Sequence, residues 1–408
     1  MNIRQDQRKK KRILLTGGRA PVALDLARKL ATSGHIVYLA ESCPAQLCKH
    51  SRFVTENIII PEPKQDPVAF INSLQAIIKN EEIDWLIPTC EEIFYVSKYV
   101  SDLKEYCHVL VESIDKLHRY HNKWEFIQTS KQLHLQVPET YLLRSEKDLK
   151  DIVSVKGKWV YKRVYSRFAT NVYIVDHDHS KVISPKRMTV KRLRKELNKD
   201  MKKDELWIAQ RFIEGDAFCS YALCHHGEVK AVATYPVEFT AGVGACISFT
   251  AVHHEKIEKW LVEFVLHEQF TGQIAFDFFV TNDGEVYAIE CNPRTTSGIH
   301  LFTDDYLFSQ ALFNESSEGI VRPNEKEKVV ISMAMLSYGL ASIRSFKEVK
   351  RWLQLMVKGK DNIFCSDDVQ PFLQQFPLLL WSAKVSRKEN ISLMQATTFD
   401  IEWNGEDT

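Results

Sequence analysis

The sequence lacks an excess of either charge, a long apolar run and a paired cysteine motif. Its 54 basic and 53 acidic side chains leave a formal net charge of +1. Because no global field attracts polyanions, we expect no nucleic-acid partner and no membrane partner. No segment approaches the roughly 20 apolar residues that a membrane span requires. The nine cysteines are odd in number and form no CxxC pair, which predicts reduced thiols in a cytoplasmic protein.

The length of the chain predicts more than one domain. Its 408 residues exceed what one hydrophobic core usually serves, so we expect two or three domains that share a cleft. Apolar residues make up 45% of the chain and charged residues 26%, as in a globular protein with a sizeable core. Clefts between domains are where small molecules bind.

Residues 1–112 are predicted to form a doubly wound α/β domain. A short apolar strand begins at Arg12, and a glycine turn, an amphipathic helix and a second strand follow it. This βαβ unit starts a parallel sheet with helices on its faces. Further strands are expected at residues 84–88 and 108–111. The turn Gly17-Gly18-Arg19 lacks the third glycine of a dinucleotide fingerprint, which argues against NAD binding.

Residues 113–320 are predicted to form a two-layer α+β domain. Alternating polarity indicates a hairpin at residues 158–176 and strands between residues 206 and 235. A final hairpin spans residues 273–290 and turns on Asn282, Asp283 and Gly284. Residues 321–408 are expected to form a small appendage of helical segments with a short strand-like end. The sequence gives this appendage no role beyond a cover for the preceding domain or a dimer contact.

The final hairpin carries the chemistry that the sequence indicates best. Asp277 lies on its first strand, and Glu290 and Asn292 lie at the end of its second strand. Two carboxylates and an amide oxygen that converge are hard ligands, which magnesium prefers when water and phosphate oxygens complete its shell. Arg294 could then stabilise negative charge that develops on a transferred phosphate. The alternative is that acids simply flank a hairpin turn.

The order of these residues resembles that of the ATP-grasp superfamily, most of all the carbamoyl-phosphate-synthase-like carboxylate-amine ligases. The resemblance rests on Asn122-Lys123 before a helix, Lys162 on a strand, residues 210–213 before Gly215, and the metal hairpin. It covers roughly residues 12–320. It implies ATP and two magnesium ions, with manganese as a substitute. It also implies a ligase that joins a small-molecule carboxylate to an amine through an acyl phosphate, releasing ADP and phosphate. A different acceptor, such as a thiol or bicarbonate, transfer that stops at the acyl phosphate, and a non-catalytic ATP-binding module stay open.

The resemblance also implies the nucleotide contacts. Lys123 and Lys162 match the two lysines that hold phosphates, although each could instead be an ordinary solvated side chain. The phosphate-covering loop has no glycine here, so Ser166 and Arg167 are expected to contact the phosphates through their side chains. The other expected contacts are Gln210, Arg211, Phe212 and Ile213 for adenine and Asp216 for ribose.

The acceptor side is implied less directly. Arg19, Glu91 and Glu92 are expected to face the carboxylate and amine substrates, and the alternative for the two acids is to satisfy backbone amides at a helix start. The polar loop after Arg294 is expected to form a wall of the carboxylate pocket through Thr295, Ser297 and Gly298, or else a helix cap. A homodimer is possible.

Overall fold

The computed structural model describes residues 10–166, 171–184, 188–242, 244–315 and 319–405. Its α/β architecture confirms the predicted fold class. A parallel sheet comes first, two large antiparallel sheets and a two-stranded antiparallel one follow, and a small mixed sheet and a helical layer end the chain. Among these described residues, no helix has both the length and the apolar character needed to cross a bilayer.

The N-terminal sheet has five parallel strands in the order β3-β2-β1-β4-β5. The central strand is apolar on both faces because helices cover both, and Ile13, Leu14 and Leu15 are fully buried. The strands are β1 (Arg12–Thr16), β2 (Ile36–Glu41), β3 (Glu56–Ile59), β4 (Trp85–Ile87) and β5 (His108–Val109). The helices are α1 (Pro21–Thr32), the 3₁₀ turn Leu47–His50, α2 (Pro67–Asn80), α3 (Ile93–Lys98) and α4 (Val100–Lys104).

Two helices, α5 (Ile114–His121) and α6 (Lys123–Gln132), lead to the first antiparallel sheet, whose strand order is β6-β10-β7-β8-β9. Trp159 and Trp207 are buried between this sheet and its helices. The predicted hairpin at residues 158–176 is present. The elements are β6 (Thr140–Leu143), α7 (Glu146–Val153), β7 (Lys158–Arg163), β8 (Tyr173–Asp176), β9 (Lys181–Ser184), α8 (Val190–Met201) and β10 (Trp207–Arg211).

The second antiparallel sheet has the order β12-β11-β16-β17. Alternate residues of β16 pack Phe276 and Phe278 against Phe264 and Trp260 of α9, which turns Asp277 to the opposite face. The elements are β11 (Asp216–His225), β12 (Glu228–Pro236), β13 (Thr240–Ala241), β14 (Ala245–Cys246), β15 (Ser248–Thr250), α9 (Glu255–Glu268), β16 (Gly272–Val280), β17 (Val286–Asn292), the 3₁₀ turn Ser297–Leu301 and α10 (Asp305–Leu312).

A buried ion network joins this part of the chain to the N-terminal sheet domain. Asp25 on α1 lies 3.2 Å from Lys29 Nζ and accepts a hydrogen bond from His300 Nδ1 at 2.9 Å. Burial alone would raise the pKa of Asp25, but Lys29 and His300 outweigh it and hold that pKa at about 2. The network therefore fixes the turn that follows the predicted metal hairpin.

The C-terminal segment adds strands to β15 in the order β15-β18-β19 and supplies mostly helices. The predicted strand-like end is wrong, because residues 397–401 form turns and residues 402–405 do not form a strand. The elements are β18 (Lys328–Val330), α11 (Ser332–Ala334), the π turn Met335–Gly339, α12 (Leu340–Ser342), α13 (Phe346–Lys358), β19 (Lys360–Asp361), α14 (Gln370–Glu389) and α15 (Leu393–Ala396).

Candidate functional site

A cavity of about 420 Å³ lies between the two antiparallel sheets. One wall comes from β7, β8 and β10, and the other from β11, β16 and β17. Most of the residues that the sequence predicts for the nucleotide and the metal meet here. Those that line the cavity are Lys123, Lys162, Ser166, Gln210, Arg211, Phe212, Ile213, Asp277, Glu290, Asn292, Arg294 and Ser297.

Asp277 and Glu290 lie directly opposite each other on β16 and β17. Asn292 is two residues beyond Glu290, so it projects from the same face of the strand. Two like charges in one cross-strand pair destabilise a sheet, and burial together with Glu290 raises the pKa of Asp277 to about 6. A divalent cation bound by both carboxylates would remove this repulsion.

The donor set fits magnesium. It offers two carboxylates and one amide oxygen, which are hard ligands. Within the described ranges, no group of three or more His, Cys, Asp or Glu side chains is arranged to hold a metal. Two carboxylates and one amide oxygen are fewer ligands than an octahedral magnesium ion needs, so phosphate oxygens and water would have to complete its shell.

Two buried lysines face this acidic pair. The ammonium of Lys123 lies 3.5 Å from Glu290 Oε1 and donates a hydrogen bond to the Ser166 carbonyl at 2.9 Å. Lys162 Nζ donates to the Ile289 carbonyl at 3.3 Å. Burial lowers the pKa of Lys162 to about 8, against the attraction of Glu290. The lysines thus place positive charge opposite the negative charge of the carboxylates inside the cavity.

The predicted adenine hinge follows β10. Phe212 and Ile213 line the cavity. The Arg211 side chain instead donates to the Lys156 carbonyl at 2.6 Å, and its backbone N–H donates to Glu139 O at 2.8 Å. Gln210 is buried and donates to Thr140 Oγ1 at 3.2 Å. Arg211 therefore has only its carbonyl to offer an adenine edge.

The sequence predicts two further contacts with the nucleotide, by Asp216 and by Arg167. Asp216 is exposed at the start of β11 and does not line the cavity, so the structure does not bring it to the predicted ribose position. It pairs with Val280 on β16, next to the cavity-lining residues Ala217 and Phe279. Arg167 lies outside the described residues.

Some residues of the loop after β17 line the cavity, and others are buried in the core. Arg294 and Ser297 line the cavity. Thr295 is fully buried beneath the loop, and Gly298 packs so closely that an added Cβ would lie 2.4 Å from Tyr221 Cβ. Thr295 and Gly298 therefore shape the loop rather than line the predicted carboxylate pocket.

The acceptor residues predicted on the N-terminal sheet are not in the cavity. Arg19 is buried, and its guanidinium binds Glu41 at 2.5 Å and Asp400 at 2.7 Å. The predicted substrate contact of Arg19 is therefore wrong in this structure, because two carboxylates already occupy its donors. Glu92 accepts from the backbone amides of Thr89 and Cys90 at 3.1 and 3.0 Å, which is the alternative that the sequence left open for it.

Glu91 is the predicted acceptor residue that approaches the site. Its Oε1 lies 3.9 Å from Nη2 of Arg294, and its side chain is buried. It thus contacts the cavity wall through Arg294 and does not itself line the cavity.

Comparison with known families decides the assignment of the central region. The family described as the ATP-grasp domain matches residues 120–298. The chain contains an ATP-grasp domain. The match begins just before Lys123 and ends just after Ser297, so it includes both lysines, the hinge and the metal hairpin. No curated protein sequence matches the chain significantly.

Solved structures share the fold of the ATP-grasp domain and of its neighbours. An N5-carboxyaminoimidazole ribonucleotide synthetase bound to ADP is 16% identical over 80% of this chain and 84% of its own, with a TM-score of 0.59. An L-amino acid ligase from Bacillus licheniformis is 15% identical over 79% and 80%, also with a TM-score of 0.59.

A third similar structure was determined with nucleotide and magnesium. It is the biotin carboxylase domain dimer of the 2-oxoglutarate carboxylase from Hydrogenobacter thermophilus, in complex with ADP magnesium salt, ADP and bicarbonate. It is 12% identical over 78% of this chain and 74% of its own, with a TM-score of 0.59. At these identities the three likenesses establish the fold.

The ATP-grasp domain also contains cavity residues that sequence reasoning missed. Cys219 pairs with Asp277 on the neighbouring strand, and Tyr235 pairs with Cys219 in turn. With Cys246, they line the cavity. The available signal was the alternation of β11, which places Cys219 on the same sheet face as Asp277 once the two strands are known to be neighbours.

Proposed function

We propose that this protein is an ATP-dependent ligase that joins a small-molecule carboxylate to an amine through an acyl phosphate, releasing ADP and phosphate. One observation carries the proposal. The cross-strand pair Asp277 and Glu290 faces two buried lysines, Lys123 and Lys162, inside one cavity. Such a set of charges suits a magnesium-bound triphosphate.

The nucleotide would lie along the cavity. Phe212 and Ile213 offer an apolar surface for adenine, with the Arg211 carbonyl at its edge. The ammonium groups of Lys123 and Lys162 would bind phosphate oxygens as point charges. Asp277, Glu290 and Asn292 would hold magnesium, which neutralises charge on the phosphates and polarises them.

The reaction then has two displacements. An oxygen of the carboxylate substrate attacks the γ-phosphorus and ADP leaves, and Arg294 stabilises the charge on the transferred group. The amine nitrogen next attacks the acyl carbon, and phosphate leaves as the amide forms. Ser297 and Arg294 lie on the cavity wall where the carboxylate would bind.

A second acceptor has support from the comparisons. One similar structure is a biotin carboxylase domain with bicarbonate, and another is a carboxyaminoimidazole ribonucleotide synthetase. Bicarbonate is itself a carboxylate that could accept the γ-phosphate. We rank it second, because it rests on the similar structures alone.

Trapping with hydroxylamine tests the proposal. The protein is incubated with magnesium, ATP and a panel of carboxylates, and hydroxamate and ADP are measured. A hydroxamate that forms only with ATP and particular carboxylates supports the ligase. ADP release with bicarbonate alone supports the second acceptor. No ADP release with any carboxylate and amine would refute turnover and favour a binding module.

A homodimer belongs to the same proposal, and the helical C-terminal layer is the surface that we assign to it. Large apolar side chains are exposed on α13 and α14, including Phe346 at 90%, Val357 at 81% and Leu380 at 73%. Patches of this kind mark interaction sites. Sedimentation equilibrium of the wild-type protein and of a Leu380→Lys variant tests it, and a monomeric wild type would refute it.

A further inference from the structure

We propose that the C-terminal tail, defined as residues 397–405, is a brace that positions the segment 164–166 beside the phosphate-binding lysine. The inference rests on the proposed function, because that function places nucleotide phosphates at Lys123. From the sequence, the appendage that contains this tail is expected only to cover the preceding domain or to form a dimer contact. The structure returns it across the N-terminal sheet domain to the edge of the cavity.

The tail is fixed at its base by buried polar contacts. Asp400 receives two hydrogen bonds from the Arg19 guanidinium and one from Ser42 Oγ at 2.7 Å. Glu402 binds Lys64 Nζ at 2.6 Å through its side chain, and its carbonyl accepts from the Tyr95 hydroxyl at 3.0 Å. A buried charge pair with several hydrogen bonds is costly to open.

Beyond this base, Trp403 joins three parts of the molecule. Its ring stacks on His118 of α5, with centroids 3.8 Å apart, and on Phe94 of α3 at 5.1 Å. It also meets the Tyr165 ring in a T-shaped arrangement, with centroids 5.9 Å apart. Trp403 is only 6% exposed, so a residue near the end of the chain serves as a core residue between domains.

Gly405 completes the contact with Tyr165. A Cβ added at this glycine would lie 2.6 Å from the Tyr165 ring, and the backbone has a φ of +84°. Only glycine allows the tail to approach the ring this closely. Tyr165 is therefore enclosed by Trp403 and by the tail backbone.

Tyr165 connects the tail to the residues around Lys123, where the phosphates are proposed to bind. Its hydroxyl accepts a hydrogen bond from Asn122 Nδ2 at 3.2 Å, and Asn122 also caps the helix that starts at Lys123. The Lys123 N–H donates to Val164 O at 3.2 Å, and its ammonium donates to Ser166 O at 2.9 Å. Residues 164–166 thus wrap around Lys123, and the tail supports them from outside.

The brace has a specific consequence for nucleotide binding. If the tail holds Tyr165 in the position that ATP binding needs, loss of the contact between the tail and Tyr165 lowers the fraction of molecules that are competent to bind ATP. A tenfold fall in that fraction raises the apparent Kd about tenfold without any change in a residue that touches the nucleotide. Trp403 is therefore a positioning residue, and we do not place it among the catalytic groups.

The test compares Trp403→Ala with Trp403→Phe in the full-length protein. Calorimetry with magnesium and ATP gives Kd, and steady-state kinetics separate KM for ATP from kcat. We expect about a tenfold weaker Kd and a raised KM for Trp403→Ala, with values near wild type for Trp403→Phe, which keeps a stacked ring. Trp85→Ala is the control, because Trp85 stacks on His108 in the same sheet domain without touching Tyr165.

A second variant keeps the test decisive if Trp403→Ala does not fold. Tyr165→Leu removes the same contact from the other side, and a double variant of Trp403→Phe and Tyr165→Leu should bind ATP no more weakly than Tyr165→Leu alone. Unchanged Kd in folded Trp403→Ala, or an equal loss in Trp85→Ala, would overturn the brace alone. Wild-type protein that binds no ATP would overturn the proposed function and the brace with it.

Discussion

Replacing Asp277 by asparagine should stabilise the ligand-free protein while it abolishes the response to magnesium and ATP. Asp277 faces Glu290 directly across two strands, and burial and that neighbour raise its pKa from 3.8 to about 6. A raised carboxyl pKa means that the charged form is disfavoured in the folded state. Asparagine has almost the same shape and carries no charge, so it removes this cost.

The size of the effect follows from the same shift. About two pKa units correspond to about 3 kcal/mol. Solvent screens part of this interaction, because the Glu290 side chain is 25% exposed, so we expect a gain of about 1–2 kcal/mol at pH 8. The apparent Tm should rise by a few degrees, roughly 2–4 °C per kcal/mol.

Thermal denaturation at pH 8 without ligand measures the stability of the free protein. The same experiment with magnesium and ATP measures how much the ligand stabilises it. Ligand at about 100 times Kd stabilises the wild type by about 2.7 kcal/mol, and the variant should gain almost nothing. Asp283→Asn is the matched control, because Asp283 is an exposed acid at the turn of the same hairpin. Lower stability of ligand-free Asp277→Asn, or an undiminished ligand response, would refute the reasoning.

Three other variants test separate parts of the structure. Lys162→Met should raise the Kd for ATP at least about tenfold, since a charge-assisted contact contributes about 1.5–3 kcal/mol. Calorimetry measures this Kd, and Lys181→Met is the control because Lys181 is an exposed strand lysine. Equal affinities of the two variants would contradict a phosphate role for Lys162. Asp25→Asn should lower stability by about 2 kcal/mol at pH 6, because the folded pKa of about 2 lies below 3.8. That difference should shrink as pH falls from 4 toward 2 in urea titrations, and a constant difference would contradict it. Gly298→Ala should cost about 1–3 kcal/mol by overpacking against Tyr221, and an unchanged urea midpoint would contradict it.

The hairpin of β16 and β17 was predictable because its geometry is local; its role as a metal site stays a prediction. A two-stranded hairpin with a short turn fixes its own register, and alternation then decides which side chains share a face. Asp277, Glu290 and Asn292 therefore reach one wall of the cavity without help from distant parts of the chain. The bulge between Asp277 and Phe278 is a detail that the pattern did not reveal.

Arg19 shows why the acceptor side was harder to predict. Its position after the first strand suggested a cleft-facing residue, yet its partner Asp400 lies 381 residues further along the chain. Nothing in local periodicity indicates such a pairing. The ribose contact of Asp216 stays a prediction, because this exposed residue lies beside the lining residue Ala217 and does not itself line the cavity.

The segment that follows Lys162 has no glycine between residues 164 and 170, and Lys123 holds the described part of this segment by hydrogen bonds to Val164 and Ser166. An ammonium has three N–H donors, and here one binds the Ser166 carbonyl and another lies toward Glu290. The third is left for a phosphate. A glycine-rich loop holds phosphates through its own backbone amides, whereas this chain ties the start of the loop to a lysine that also faces the metal ligands. Lys123 thus contacts both segment 164–166 and Glu290, and the tail contacts the same segment from outside through Tyr165.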